Sequence, residues 1–208
     1  MSGRDLETRE RLLRTGQRLF AERGFKRVTI REVCRGARAN VAAVNYHFGN
    51  KLGLYREVVQ VAIDALRGTT DAAKEAAEGC PAEEKLRRFV QVYVRRLLAT
   101  TPDDWIHRLI NREIADPTTA IDAIVDQGIR PRLDYLTEVV AELMDRELSD
   151  PRVIRSVVSL QAQSVAYLPN PLAERLGLKP KLTPAEIDQV AHHIVEFSLA
   201  GIRAIARS

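Results

Sequence analysis

The chain has 208 residues, of which 45% are hydrophobic and only 5% aromatic, a composition typical of helices packed on helices in one large or two small domains. Residues 1–60 hold thirteen Lys/Arg against six Asp/Glu, a net charge of +7, whereas residues 61–208 hold nineteen against twenty-two, a net charge of −3. No apolar run approaches the ~18 residues that cross a bilayer and the N-terminus lacks the apolar core of a signal peptide, which excludes a membrane protein and predicts a cytoplasmic one.

The first predicted elements are an amphipathic helix over residues 5–23, ended by Gly24, and a short second helix. Thr29 and Glu32 have the spacing of a capping box, so the second helix is predicted over residues 30–37. The basic charge of this part of the chain is typical of nucleic-acid binding, although a solvated charged surface would give the same count.

A third short helix is predicted over residues 41–47, with Asn40 as its N-cap. Val44 and Phe48 are expected to face the core, whereas small side chains and Asn45 face outward. Small side chains permit close approach to DNA, and an Asn amide can bond an adenine edge with two hydrogen bonds. We therefore interpret the second and third helices as a helix-turn-helix whose last helix is the recognition helix.

A long fourth helix is predicted over residues 51–68, capped by Asn50. Lys51 lies in its first turn, where the helix dipole disfavours a cation, and a bound phosphate would explain it. A polar connection over residues 69–81 follows. The remaining predicted helices cover residues 82–99, 105–115, 118–147 with an interruption at 128–131, 152–168 and 184–206, with a loop containing a helical turn over 172–182.

Several groups of residues resemble the DNA-binding domain of the TetR/AcrR family of bacterial regulators: Thr29–Val33, Asn45–Phe48, Asn50-Lys51 and Leu54-Tyr55. The resemblance implies an all-α protein with an N-terminal three-helix helix-turn-helix head, residues 1–54, and a C-terminal helical bundle for effector binding and dimerisation, residues 55–208. One position differs, because Arg38 stands where the family often has Gly. Arg38 is therefore expected to adopt a positive φ or to contact a phosphate.

The same resemblance implies which residues contact DNA. The positions expected at phosphates or packed at the backbone are Thr29, Tyr46, His47 and Lys51. Those expected to approach bases are Arg31, Val41, Ala42, Ala43 and Asn45. Arg38 and Asn40 complete the predicted DNA-binding set. The alternative for Tyr46 and His47 is packing beneath the head, and for Thr29 it is helix capping alone.

The resemblance also implies a small-molecule pocket in the C-terminal domain. Arg112-Glu113-Ile114 and Asp116-Pro117-Thr118, after a Trp-bearing helix, are similar to the effector domain of one subgroup of the family. The candidate effector-binding residues are Tyr93, Trp105, Arg108, Arg112 and Gln161. A buried Arg is costly unless it is paired, so Arg108 or Arg112 is expected to bind an anionic effector, to pair with Glu113, or to face solvent.

Together these patterns predict a ligand-responsive repressor that binds a palindromic double-stranded operator as a homodimer. The helices over 152–168 and 184–206 are apolar on more than one face, which favours a four-helix dimer interface over a simple core role. The alternatives are a TetR-like protein-binding adaptor and a nonspecific architectural DNA binder. No nucleophile–base pair supports an enzyme, and no cofactor or metal is expected.

Cys34 and Cys80 form no disulfide framework; Cys34 is interpreted as a core residue, with a redox pair as the alternative.

Overall fold

The computed structural model describes residues 3–99, 104–168, 175–177 and 182–207. The regular elements in these ranges are all helices, so the prediction of an all-α protein is confirmed. Apart from residues 175–177 and 182, the predicted helical turn over 172–182 lies outside the described residues. The elements are α1 Gly3–Arg27, α2 Ile30–Ala37, α3 Val41–Phe48, α4 Lys51–Ala76, α5 Ala82–Leu98, α6 Asp104–Ala115, α7 Ile121–Ala123, a π-helical segment Ile124–Ile129, α8 Arg130–Met144, α9 Pro151–Ala166 and α10 Pro184–Ala206.

The chain divides into two compact units. The first comprises Met1–Ala65 and Thr101–Gly128, and the second comprises Leu66–Thr100 and Ile129–Ser208. In the first unit α1 packs against α2, α3 and α6. Leu6, which the sequence pattern places inward, is 54% exposed, and the neighbouring turn of α1 instead buries Leu12 completely.

Local hydrogen bonds explain where the short helices begin. Thr29 Oγ1 accepts a hydrogen bond from the Glu32 backbone N–H at 3.3 Å, and the Glu32 carboxylate accepts one from the Thr29 N–H at 2.8 Å. This reciprocal pair is the predicted capping box. Asn40 Oδ1 accepts from the Ala43 N–H at 2.8 Å, so α3 begins at the predicted residue. The two caps therefore fix the first residues of both helices of the helix-turn-helix.

Helix α4 is longer than its predicted span, because it continues to Ala76 through most of the segment expected to be a polar connection. That segment is rich in Ala, Glu and Lys, which are strong helix formers. Ala73 and Ala77 are also fully buried, so one side of the extension is packed.

The core of the second unit is built by α5, α8, α9 and α10, which pack on one another. Thr183 caps α10 with Pro184 in the first turn, and Glu186 completes a second capping box that was not predicted. The π-helical segment before α8 overlaps the predicted interruption at 128–131 only at Gly128 and Ile129, since α8 already begins at Arg130. The largest buried side chains of this core include Leu86, Phe89, Leu160, Ile194 and Leu199.

Within the described ranges, no helix combines the length and apolar character that a membrane span requires.

Candidate nucleic-acid interface

The outer face of α3 presents its side chains to solvent, whereas its inner face is fixed in the core. Val44 is fully buried and Phe48 is 9% exposed, so these two residues hold the helix against the first unit. The opposite face exposes Val41, Ala42, Asn45 and Tyr46, with Tyr46 73% exposed. Ala43 and His47 lie at the margin of this face and are partly buried.

The turn between α2 and α3 contains a residue in the left-handed region. Arg38 has φ 52° and ψ 46°, so the predicted positive φ is confirmed. Its backbone N–H donates to the Arg35 carbonyl, and its side chain is exposed. From α1, Arg11 Nε donates to the Ala37 carbonyl at 3.1 Å. A cation at the C-terminal end of α2 is favourable to the helix dipole and ties the turn to α1.

The positive charge of the first unit is distributed unevenly. Five arginines of α1 are paired with carboxylates, in the pairs Arg9–Glu57, Arg11–Glu7, Arg14–Glu10, Arg18–Glu22 and Arg23–Glu32. By contrast, Arg31, Arg35 and Arg38 are exposed and form no ion pair with any carboxylate in the described residues. Three exposed cations without a carboxylate partner therefore lie on α2 and the turn, beside the exposed face of α3.

Glu32 is the acidic residue of α2, and its charge is used locally. Hydrogen bonds from the Thr29 side chain and backbone, followed by one from Arg23, lower the pKa of Glu32 from 4.5 to about 2. Arg23 lies 2.8 Å from the carboxylate. Glu32 is thus held as an anion that caps its own helix, and the predicted contact residue Thr29 has its hydroxyl in the same cap.

Lys51 has a partner in the first unit that the sequence did not reveal. Its ammonium lies 4.4 Å from the centre of the Phe25 ring, a cation–π contact. Burial lowers the pKa of Lys51. Asn50 caps the helix through the Gly53 N–H at 2.9 Å, as predicted. A bound phosphate is therefore no longer the sole explanation for a cation in the first turn of α4.

Gly53 is a structural residue of the head that the sequence analysis missed. A Cβ atom at this position would lie 1.9 Å from the Phe48 carbonyl oxygen, at the C-terminal end of α3. The absence of a side chain therefore sets how closely α4 follows the recognition helix. A glycine in the first turn of a predicted helix was the available signal.

A buried polar network joins α4 to α6 within the first unit. Glu113 is 2% exposed and accepts hydrogen bonds from the Tyr55 hydroxyl and from the backbone N–H and hydroxyl of Thr118. Burial, and then the bond to Glu113, raises the pKa of Tyr55, so the phenol remains a donor. Glu113 does not pair with Arg112, which instead donates to the Glu22 carbonyl at 2.8 Å.

The five candidate effector residues are divided between the two units. Trp105, Arg108 and Arg112 lie on α6 in the first unit, where Trp105 is buried and both arginines are exposed. Tyr93 is buried on α5 and Gln161 is half-buried on α9, both in the second unit.

Cys34 is buried and Cys80 partly exposed, and both are free thiols.

Comparison with solved structures shows the fold. A TetR-family transcriptional regulator from Streptomyces coelicolor superposes with a TM-score of 0.67 and 22% sequence identity, covering 94% of this chain and 90% of that one. A tetR-family regulatory protein from Rhodococcus RHA1 superposes with a TM-score of 0.69 and 16% identity, covering 97% and 98% of the two chains.

Sequence comparison assigns both parts of the chain. Residues 12–58 match the family described as bacterial regulatory proteins, tetR family. Residues 82–202, more than half of the chain, match the C-terminal domain of the HTH-type transcriptional dual regulator CecR. CecR of Shigella flexneri is 26% identical over 77% of this chain and 75% of its own length. The chain therefore belongs to the TetR family of bacterial transcriptional regulators, with a DNA-binding helix-turn-helix and a C-terminal domain of the CecR type.

Proposed function

We propose that the protein is a ligand-responsive cytoplasmic repressor that binds a palindromic operator as a homodimer. The observation that carries the proposal is the exposed face of α3 beside the uncompensated arginines of α2 and the turn. A short helix with small residues and one amide fits a major groove, and flanking cations attract the phosphate backbone.

Each residue predicted to contact DNA has a proposed role. Base edges are read by Arg31, Val41, Ala42, Ala43 and Asn45, with Asn45 as the hydrogen-bonding reader. Phosphates are contacted by Thr29, Arg38, Tyr46, His47 and Lys51. Asn40 acts at the groove through its cap, which orients the N-terminal turn of α3. Contacts to phosphates position the helix, and contacts to base edges supply the specificity.

Exposed apolar side chains on α9 and α10 support the homodimer. Ile154 and Val158 on α9 are 49% and 62% exposed, and Phe197 on α10 is 64% exposed. No atom lies within 4 Å of the position that a Cβ on Gly201 would take, so α10 offers space for close helix packing. A twofold four-helix interface would cover these side chains and impose palindromic half-sites about one helical turn apart, or a multiple of it.

Effector control is proposed to act on the head, residues 1–54, from a small-molecule site in residues 55–208. Of the predicted pocket residues, Tyr93 and Gln161 lie in the second unit and are proposed to line this site. Trp105, Arg108 and Arg112 lie on α6 in the first unit and are not assigned to it. A coupling free energy of about 1–3 kcal/mol would change DNA affinity about 5–150-fold. An effector that binds while DNA affinity stays constant would contradict this proposal.

The test is selection of binding sites from fragmented genomic DNA, followed by footprinting and light scattering. The proposal predicts a palindromic protected site, a dimer in solution, and reduced transcription from a promoter carrying that site. A specificity ratio near one would support an architectural DNA binder. Absence of DNA binding by a folded protein would support the protein-binding adaptor. Increased transcription would identify an activator.

Lys51→Ala tests the proposed phosphate contact. It is expected to weaken binding to operator and random DNA alike and to reduce the slope of log affinity against log salt by about 1. Arg95→Ala, which removes an exposed cation of the second unit, is the control and should leave the slope unchanged. An unchanged slope for Lys51→Ala would show that its role is limited to the contact with Phe25.

A further inference from the structure

Arg132, in the first turn of α8, is a buried cation without a counter-ion. The residue is 5% exposed, and its Nε is fully buried with no hydrogen-bond partner. In the described part of the chain no carboxylate pairs with it and no carbonyl or hydroxyl accepts a hydrogen bond from it. Arg132 makes a cation–π contact with Tyr93, whose ring centre lies 4.8 Å from the guanidinium carbon.

An unpaired guanidinium in this position is energetically unfavourable. Arg cannot lose its proton in a protein, so burial cannot be relieved by neutralisation. Buried charges in proteins are therefore normally paired and hydrogen-bonded. Glu113, the buried carboxylate of the first unit, follows this rule through its bonds to Tyr55 and Thr118. Arg132 does not follow it, because its buried Nε has no acceptor and no carboxylate in the described part of the chain pairs with it.

The surroundings of Arg132 indicate the shape of a partner. Tyr93 stacks on Phe89 with ring centres 6.0 Å apart and an angle of 15°, and Phe89 contacts Tyr135 at 4.9 Å. The guanidinium thus packs against the ring of Tyr93, which belongs with Phe89 to the core of the second unit. The π-helical segment that ends at Ile129 directly precedes its helix, and such segments occur frequently at functional sites.

We propose that Arg132 is the anion-binding residue of the effector site and that the effector is a small molecule with a carboxylate on a flat apolar body. The planar guanidinium can donate two parallel hydrogen bonds to a carboxylate, and the ring of Tyr93 contacts the apolar part. This inference rests on the proposed effector-responsive function and names its ligand class and anchoring residue. It replaces Arg108 and Arg112 as the charged anchor.

The test uses isothermal titration calorimetry of the full chain, without DNA, with 2-naphthoate and its neutral analogue 2-naphthamide. Wild-type protein is expected to bind the acid at least about tenfold more tightly than the amide, since a hydrogen bond to a charged group contributes that much. Arg132→Met should abolish this preference, and Arg132→Lys should retain part of it. Arg130→Met, which removes an exposed cation of the same helix, is the control and should bind like wild type.

Three results would overturn the inference. They are failure of wild type to bind 2-naphthoate, equal affinity for acid and amide, and an unchanged preference in Arg132→Met. Ligand-free Arg132→Met is expected to melt at or above the wild-type temperature, because it removes an unpaired buried charge. A monomeric Arg132→Met would instead assign the missing counter-ion to a second subunit. Because no DNA is present, failure here is distinct from failure of the proposed DNA binding.

Discussion

Replacing Gly53 by alanine is expected to destabilise the helix-turn-helix, although alanine is the better helix former. The added Cβ would lie 1.9 Å from the Phe48 carbonyl oxygen and 3.0 Å from its carbon, whereas ordinary contacts begin at 3.4 Å. Both atoms belong to the backbone, so the end of α3 must move away from α4. Overpacking of this kind costs about 1–3 kcal/mol, and the gain in helix propensity returns about 1 kcal/mol.

Gly68→Ala on the same helix is the matched control. Gly68 lies within α4, and no atom stands within 4 Å of the position of its Cβ. This substitution should therefore stabilise the protein by up to about 1 kcal/mol. The assay is urea unfolding followed by far-ultraviolet circular dichroism, with both variants at one protein concentration. Equal free energies of unfolding for Gly53→Ala and Gly68→Ala would contradict the close approach of the Phe48 carbonyl to Gly53.

Three further predictions concern the first unit. Tyr55→Phe removes a donor from buried Glu113 and should lower the free energy of unfolding by about 1–3 kcal/mol in urea denaturation; a neutral effect would contradict the network. Glu32→Gln should remove stability that wild type shows above about pH 4.5 and loses as the pH falls towards about 2, so the melting temperatures of the two proteins should converge in acid; a difference that does not change with pH would refute the lowered pKa of Glu32. Arg38→Gly should relieve the positive φ, raising stability by up to about 1 kcal/mol while weakening DNA binding; unchanged DNA affinity would remove Arg38 from the interface.

The beginnings of the short helices could be predicted because their signals are local. A capping box needs residues three positions apart, and Thr29 with Glu32 forms the predicted bonds. Thr183 and Glu186 have the same spacing and form the same bonds, although this box was not predicted. Asn40 likewise caps α3 as expected. The outward direction of Asn45 followed from its spacing relative to Val44, since neighbouring positions on a helix face different sides.

Tertiary effects limited the rest of the prediction. Helix α4 extends beyond its predicted end where Ala73 and Ala77 are buried within the second unit. The polar sequence of this segment does not indicate that burial. Glu113 was expected only as an ion-pair partner of Arg108 or Arg112, and no prediction was made for Arg132, yet both Glu113 and Arg132 are buried in the structure. Whether a charged residue has a partner depends on which helices pack together, and periodicity carries no information about that.

The proposed function depends on contacts between α3 and base edges, and Asn45→Ala tests these contacts most directly. Its affinity, with that of wild type, is measured for the selected operator and for random DNA at one salt concentration. Asn45 is exposed, so folding should be unaffected, and circular dichroism serves as the control. We predict a loss of about 1–3 kcal/mol on the operator and almost none on random DNA. An equal loss on both would show that Asn45 reads no base and would contradict the proposed interface.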